Sequence, residues 1–305
     1  MRVTALAGGV GAAKLLIGLQ DLLREELTAV VNVGDDASIY GAHVSPDIDI
    51  VTYWLAGIAD TERGWGIKDD TFTVVEALAA RGGEAWFQLG DRDFATCLYR
   101  TERLRSGDDL SSVTADIARS LGVAARILPA TDDPVRTRVV TAEGETLDFQ
   151  EYFVRRRCEP EVGEVLFAGI SEAQPAAGVL DAIETADRVI VCPSNPILSI
   201  GPILGLPLMR DALRLHPDVL AVSPIIGGRA LKGPADRLLV SLGYASSATA
   251  VASLYADFAT TFVLDSADRD EEEAIDKLGL RSIACDTVMT DHAASTRLAQ
   301  ELLDA

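Results

Sequence analysis

The stretch Val3-Thr4-Ala5-Leu6-Ala7-Gly8-Gly9-Val10-Gly11-Ala12-Ala13-Lys14 decides the fold. A short run without charge ends in glycines, and the glycines open a segment with helical spacing from about Ala12 to Leu23. Strand, glycine turn and helix form the first half of a βαβ unit. The same rhythm continues outward from it. Strands are predicted at Leu27 to Val31, Ala85 to Leu89, Ala125 to Leu128, Val165 to Ala168, Val189 to Cys192, Val219 to Val222, Thr261 to Leu264 and Ser282 to Ala284. Helices fall between them, among them Pro202 to Leu215 and Ser247 to Phe258. Such alternation predicts an α/β protein with a doubly wound, mostly parallel, Rossmann-like sheet. One stretch departs from it: Arg138 to Phe149 alternates apolar and polar residues on both sides of Glu143-Gly144 and reads as a β-hairpin. The expected organisation is a nucleotide-binding α/β core from residues 1–60 and 166–305, with a smaller inserted middle region, residues 61–165, packed on it.

Composition narrows the function. The chain has 305 residues, 48% of them hydrophobic, so it has the material for a real core. Acidic residues number 47 against 27 basic ones, a net charge of −20, which disfavours nucleic acid and anionic membrane surfaces as partners. Cys97, Cys158, Cys192 and Cys285 form no CxxC pair, and only His43, His216 and His292 could join them, so a zinc site is not expected. The start carries no signal-peptide pattern and no apolar run reaches spanning length, so the expected location is the cytoplasm. A homodimer is the expected state for a cytosolic enzyme of this size. A serine hydrolase is excluded by the lack of a GxSxG elbow, and no histidine sits in a triad context.

In an open α/β sheet, ligands bind beyond the carboxyl ends of the strands, and the polar and glycine-rich segments collect there. Gly8, Gly9 and Gly11 let the backbone approach an anion at a helix start, and Lys14 adds a charge; a tight turn without ligand is the alternative. The spacing is neither a P-loop nor a full GxGxxG. Asn32-Val33-Gly34-Asp35-Asp36 offers acids to a ribose or a metal, or simply to solvent. Ser45-Pro46-Asp47-Ile48-Asp49 fits a capped helix start, whose dipole favours acids; alternatively one of Asp47 and Asp49 faces the cleft. Leu89-Gly90-Asp91-Arg92-Asp93 either caps a helix or lines a site. The rigid loop around Ser194, Asn195, Ser199 and Ile200 presents N–H donors, and Arg229 and Lys232 bring cations for phosphates to the same rim.

Taken together, these segments resemble the CofD-like 2-phospho-L-lactate transferases of coenzyme F420 biosynthesis. GGVGAAKLL, VVNVGDD, SPDID, WGIKDDTF, LGDRDFAT, LPATDDPVRT, PSNPILSIGPIL and SPIIGGRALKGPA follow in family order from Gly8 to Ala235. The resemblance implies transfer of a phospho-organic-acid group (2-phospho-L-lactate, phosphoenolpyruvate or phosphoglycerate) from a GDP-linked donor. The acceptor is the terminal ribityl hydroxyl of the deazaflavin FO; GMP is released and Mg²⁺ is the cofactor. It further implies a nucleotide cradle at Gly8 to Lys14 and Ser194 to Ile200, and an acceptor pocket at Gln88, Asp91 and Asp93. Asp49 and Asp47 take the catalytic roles, and Asp49 and Asp36 the metal. Gln88 stands where a number of relatives carry lysine. Two other classes stay open: a nucleotide-sugar-binding regulator of the YvcK type without transferase activity, and a nicotinamide-dependent oxidoreductase, against which the incomplete GxGxxG weighs.

Overall fold

The computed structural model describes residues 1–305. Fourteen strands follow in the order β1 Val3–Ala7, β2 Leu27–Val31, β3 Ala37–Ile39, β4 Ala42–Val44, β5 Arg126–Pro129, β6 Arg136–Thr141 and β7 Thr146–Asp148, then β8 Val162–Ala168, β9 Arg188–Val191, β10 Val219–Val222, β11 Ile225–Ile226, β12 Arg229–Ala230, β13 Thr261–Asp265 and β14 Arg281–Cys285. The first four helices are α1 Gly9–Leu23, α2 Pro46–Leu55, α3 Thr73–Ala80 and α4 Asp91–Arg105. Seven strands form one parallel sheet in the order β14-β13-β10-β9-β1-β2-β5. Strand β1 is buried along its whole length, as an uncharged run covered on both faces must be. It pairs with β2 on one side, Val3 opposite Leu27, and with β9 on the other, Val3 opposite Arg188. The connections leave β1 in opposite directions, so a switch point lies between β1 and β9. The loops that follow these two strands are the glycine turn and the proline-rich segment, and a crevice opens between them.

The doubly wound sheet and the hairpin are as the sequence reads, the hairpin being β6 with β7. Three strands behave differently. Residues 85–89 form no strand; Phe87 N donates to the Tyr40 hydroxyl instead, and Leu89 joins a small satellite core with Ile39, Val44, Val75, Phe94 and Cys97. That segment is used for packing against the β3–β4 hairpin. Strand β8 adds to β6 in a separate antiparallel sheet, β7-β6-β8, and so crosses residue 166, while β5, within 61–165, completes the main sheet beside β2. A further hairpin, β3 with β4, turns at Tyr40 and Gly41, both left-handed at φ 52° and 80°. One contiguous core runs from Val3 to Leu302, joining the two ends of the chain. No helix is long and apolar enough to cross a membrane.

Candidate active site

A cavity of about 590 Å³ lies beyond the carboxyl ends of β1, β2, β9 and β10. Its floor is the Gly8–Gly11 turn. Gly9 has φ 70°, and a Cβ on Gly8 would lie 2.6 Å from Ser199 Cβ and 2.7 Å from Asp47 Oδ2. A Cβ on Gly11 would overlap the Pro193 carbonyl. The two loops therefore touch, and Gly8 N donates to Ser194 Oγ at 3.3 Å. Asn195 shapes the opposing loop: its side-chain oxygen accepts from Ile197 N and Leu198 N, each at 3.0 Å. Ser194, Asn195 and Ser199 line the cavity, whereas Ile200 is fully buried in the core.

The charges of the cavity are separated. On one side stand Lys14 and Lys232, near Ser223 after β10 and Thr287 after β14. Lys14 Nζ donates to Met289 O at 2.8 Å, and neither lysine has a carboxylate partner. Burial and the neighbouring Lys232 charge lower the Lys14 ammonium from its usual range. Arg229, by contrast, is exposed in a separate shallow groove beside Arg237 and Tyr152.

On the other side are Asp35, Asp47, Asp49 and Asp93, all in the cavity wall. Asp47 accepts from Asn32 Nδ2 at 2.9 Å, and burial holds its carboxyl up at about 6. Burial first, and the Asp47 charge next, raise Asp35 well above the carboxylate range, and its buried Oδ1 has no partner. Neither acid has a cationic partner, so two adjacent buried carboxylates lack a counter-charge; their donor set is the all-oxygen one that suits a divalent cation. Asp36 is turned away from the cavity, its Oδ2 accepting from His43 Nε2 at 2.8 Å and Ser45 Oγ at 2.9 Å. Ser45 thus stands at the N-cap position of α2 but gives its hydroxyl to Asp36 and not to the helix backbone.

Both Asp47 and Asp49 face the cavity, contrary to the expectation that only one would, because the first turn of α2 is enclosed on both sides. They do different things. Asp49 is held by the guanidinium fork of Arg100, a side chain with no exposure at all, through Nη2 to Oδ1 and Nη1 to Oδ2. Burial raises the Asp49 carboxyl while Arg100 opposes that shift. With both oxygens engaged by a cation, Asp49 does not fit a metal ligand; Asp36 gives its Oδ2 to His43 and Ser45 and keeps a buried Oδ1 without a partner, but it stands outside the cavity wall. The oxygens that fit are those of Asp35 and Asp47.

Asp91 lies outside the cavity and caps α3, accepting from Val74 N at 3.0 Å, Thr73 N at 3.1 Å and Thr71 Oγ1 at 2.7 Å. Gln88 is in the wall with its amide turned back to Ala85 O at 3.3 Å. Sequence reading missed Tyr53, Arg100 and an aromatic rim of Trp65, Phe87, Phe149 and Phe153. Trp65 sits on a finger closed by Asp60 N to Gly66 O, and Arg63 lies 5.1 Å from both the Trp65 and Phe72 rings. Asp93, Cys97 and Arg100 fall at i, i+4 and i+7 of α4, a polar stripe on a buried helix face that the sequence displays.

A switch-point cavity with a glycine turn at a helix start, two free lysines and a carboxylate pair defines an α/β enzyme for phosphate-bearing substrates. The chain matches the family model described as 2-phospho-L-lactate transferase CofD over residues 3–300, and it belongs to that family. It is 42% identical over 300 residues to the 2-phospho-L-lactate transferase of Methanosarcina mazei, covering 98% of each chain. To the phosphoenolpyruvate transferase of Streptomyces griseus it is 40% identical over 311 residues, covering 100% of this chain and 98% of the relative. A solved member of the UPF0052 family from Bacillus halodurans matches with TM-score 0.68 at 16% identity, over 99% of this chain and 98% of the other, and so shares the fold.

Proposed function

We propose that this chain transfers a phosphorylated three-carbon acid from its GDP-linked form to the ribityl hydroxyl of FO, releasing GMP, in coenzyme F420 biosynthesis. The observation that carries the reading is the separation of charge in a cavity whose family relatives are transferases. Lys14, Lys232 and the N–H groups at the start of α1 suit the diphosphate of the donor. The aromatic rim suits a flat acceptor ring, and the four aspartates face the place where its hydroxyl would meet phosphorus. Asp35 and Asp47 would hold Mg²⁺, which when bound supplies charge neutralisation at the phosphates. The glycine turn and the Ser194 loop fix the donor, and alignment of hydroxyl and phosphorus accounts for most of what such a transfer needs from a protein.

Against the regulatory alternative, a nucleotide-sugar binder, stand the full-length relatives at 40–42% identity, which are named as transferases. Incubation with FO, Mg²⁺ and each GDP-linked acid, followed by mass analysis of the deazaflavin, tests the reading. The expected result is a phosphodiester product and GMP with at least one donor. FO that binds, seen by its fluorescence, with no product from any donor would overturn it.

A further inference from the structure

The geometry points to Asp93 as the catalytic base that takes the proton from the acceptor hydroxyl, with Tyr53 as the residue that positions it. This rests on the transferase reading and assigns a role within that same site. Four carboxylates face the cavity, and they are not equivalent. Asp49 is neutralised by Arg100, while Asp47 lies under the glycine turn with Asp35 beside it. Asp93 has neither arrangement. Its Oδ1 accepts from the Tyr53 hydroxyl at 2.8 Å, and no protein group donates to its Oδ2, which faces the Gly66 backbone of the finger. Asp93 is 7% exposed, so this carboxylate is withdrawn from bulk water yet open to the cavity.

From α2 come Asp49 and Tyr53; from α4 come Cys97, a buried thiol, and Arg100, which is committed to Asp49. From the preceding loop comes Asp70, which pairs with Arg92 and accepts from Asp93 N at 3.1 Å. Asp93 makes no ion pair of its own, and the Arg100 charge opposes its upward shift only in part. Burial first and the Asp49 charge next hold its carboxyl up at about 7, where it gains and loses a proton readily. The two neighbouring carboxylates differ in their partners: Asp49 has both oxygens on the Arg100 guanidinium, while Asp93 has one oxygen on a neutral hydroxyl and the other without a donor.

The step balances without a further reactant. The hydroxyl proton passes to Asp93 Oδ2, and the freed oxygen pair forms the new bond to the phosphorus that carries the acid. The bond from that phosphorus to the bridging oxygen breaks, and its electron pair leaves on the phosphate of GMP. Asp93 then returns the proton to water.

Asp93→Asn keeps the shape and the Tyr53 contact but cannot accept a proton. Its kcat is expected to fall by about 10²-fold or more, with FO binding, read by fluorescence, and GDP binding within threefold of wild type. Tyr53→Phe, which removes only a hydroxyl, is the second variant. Losing that hydrogen bond makes the ionised form harder to reach, so the acid limb of its kcat profile moves to higher pH. Asp93→Glu is expected to recover part of the rate. Asp93→Asn with near-normal kcat, or an acid limb unmoved in Tyr53→Phe, overturns the assignment while leaving the transferase reading intact. A wild-type protein that turns over no donor removes both.

Discussion

Replacing Asp49 by asparagine separates a helix-capping acid from a buried ion pair. An exposed first-turn acid that merely complements the helix dipole is worth about 0.3–1 kcal/mol. Asp49 is 5% exposed and its partner Arg100 is 0% exposed. In Asp49→Asn the guanidinium would keep one neutral amide oxygen and weak contacts from Nη1 to His43 O, at 3.4 Å, and Cys97 Sγ, at 3.9 Å, but no counter-charge, and its Nε already has no partner. Removing one member of such a pair costs on the order of 3–5 kcal/mol, because the remaining charge stays buried and uncompensated. At roughly 2 °C per kcal/mol for a chain of this size, the melting temperature should fall by about 6–10 °C. Differential scanning calorimetry at pH 7 measures it. Adding Arg100→Met removes the orphaned charge as well and should restore at least half of the loss. A single variant that melts within 2 °C of wild type, or a double variant less stable than the single, would refute the argument.

The remaining expectations concern pH, cations and backbone space. Asp93 at about 7 and Asp47 at about 6 lie above the ordinary carboxyl range, so the folded chain keeps protons that the unfolded chain has released. Their contribution to stability is complete below about pH 4 and is lost as pH rises through 6–7; denaturant titrations should show stability falling from pH 5 to 8, less steeply in Asp93→Asn. A rise over that window contradicts the assignment of those protons. Lys232→Met should raise the KM for the GDP-linked donor about tenfold and leave the FO dissociation constant unchanged; equal losses for both ligands would place the lysine elsewhere. Asp47→Asn should raise the Mg²⁺ concentration needed for half-maximal rate by at least about tenfold, and an unchanged requirement rejects the Asp35 and Asp47 cation site. Gly11→Val has no room beside the Pro193 carbonyl, and calorimetric titration should find GDP binding lost; retained affinity would mean that the two loops separate freely.

What could be read from the sequence follows the physics of each signal. Parallel strands buried on both faces appear as uninterrupted apolar runs, so β1, β2, β9, β10 and β13 stand out. The run at 85–89 looks the same but packs its aromatic residues beside the Tyr40 turn and pairs with nothing. The β3–β4 hairpin gives only three residues per strand and turns through a tyrosine, too little for alternation to register. Site loops were visible as glycine, proline and acid clusters, because backbone space and capping are local demands. Partnerships were not. Asp49 reads as a first-turn acid until Arg100, 51 residues further along, closes on it. Asp91 reads as a pocket residue until three groups of the 71–74 segment turn it into a cap.

The contact between Gly8 and Ser194 joins residues 186 positions apart, and this bears on how the protein is made. On the ribosome, β1, β2 and β5 emerge long before β9, and until β9 docks, one edge of β1 offers bare N–H and C=O groups to any passing strand. The glycine turn cannot settle against Pro193 during that interval. The junction of the two loops is therefore among the last features to form, and a nascent or truncated chain that ends before residue 188 can present an aggregation-prone edge but not the assembled cavity. On the proposed reading, a nucleotide held across both loops would act as a clasp on the finished sheet, adding stability only to chains that have closed that edge.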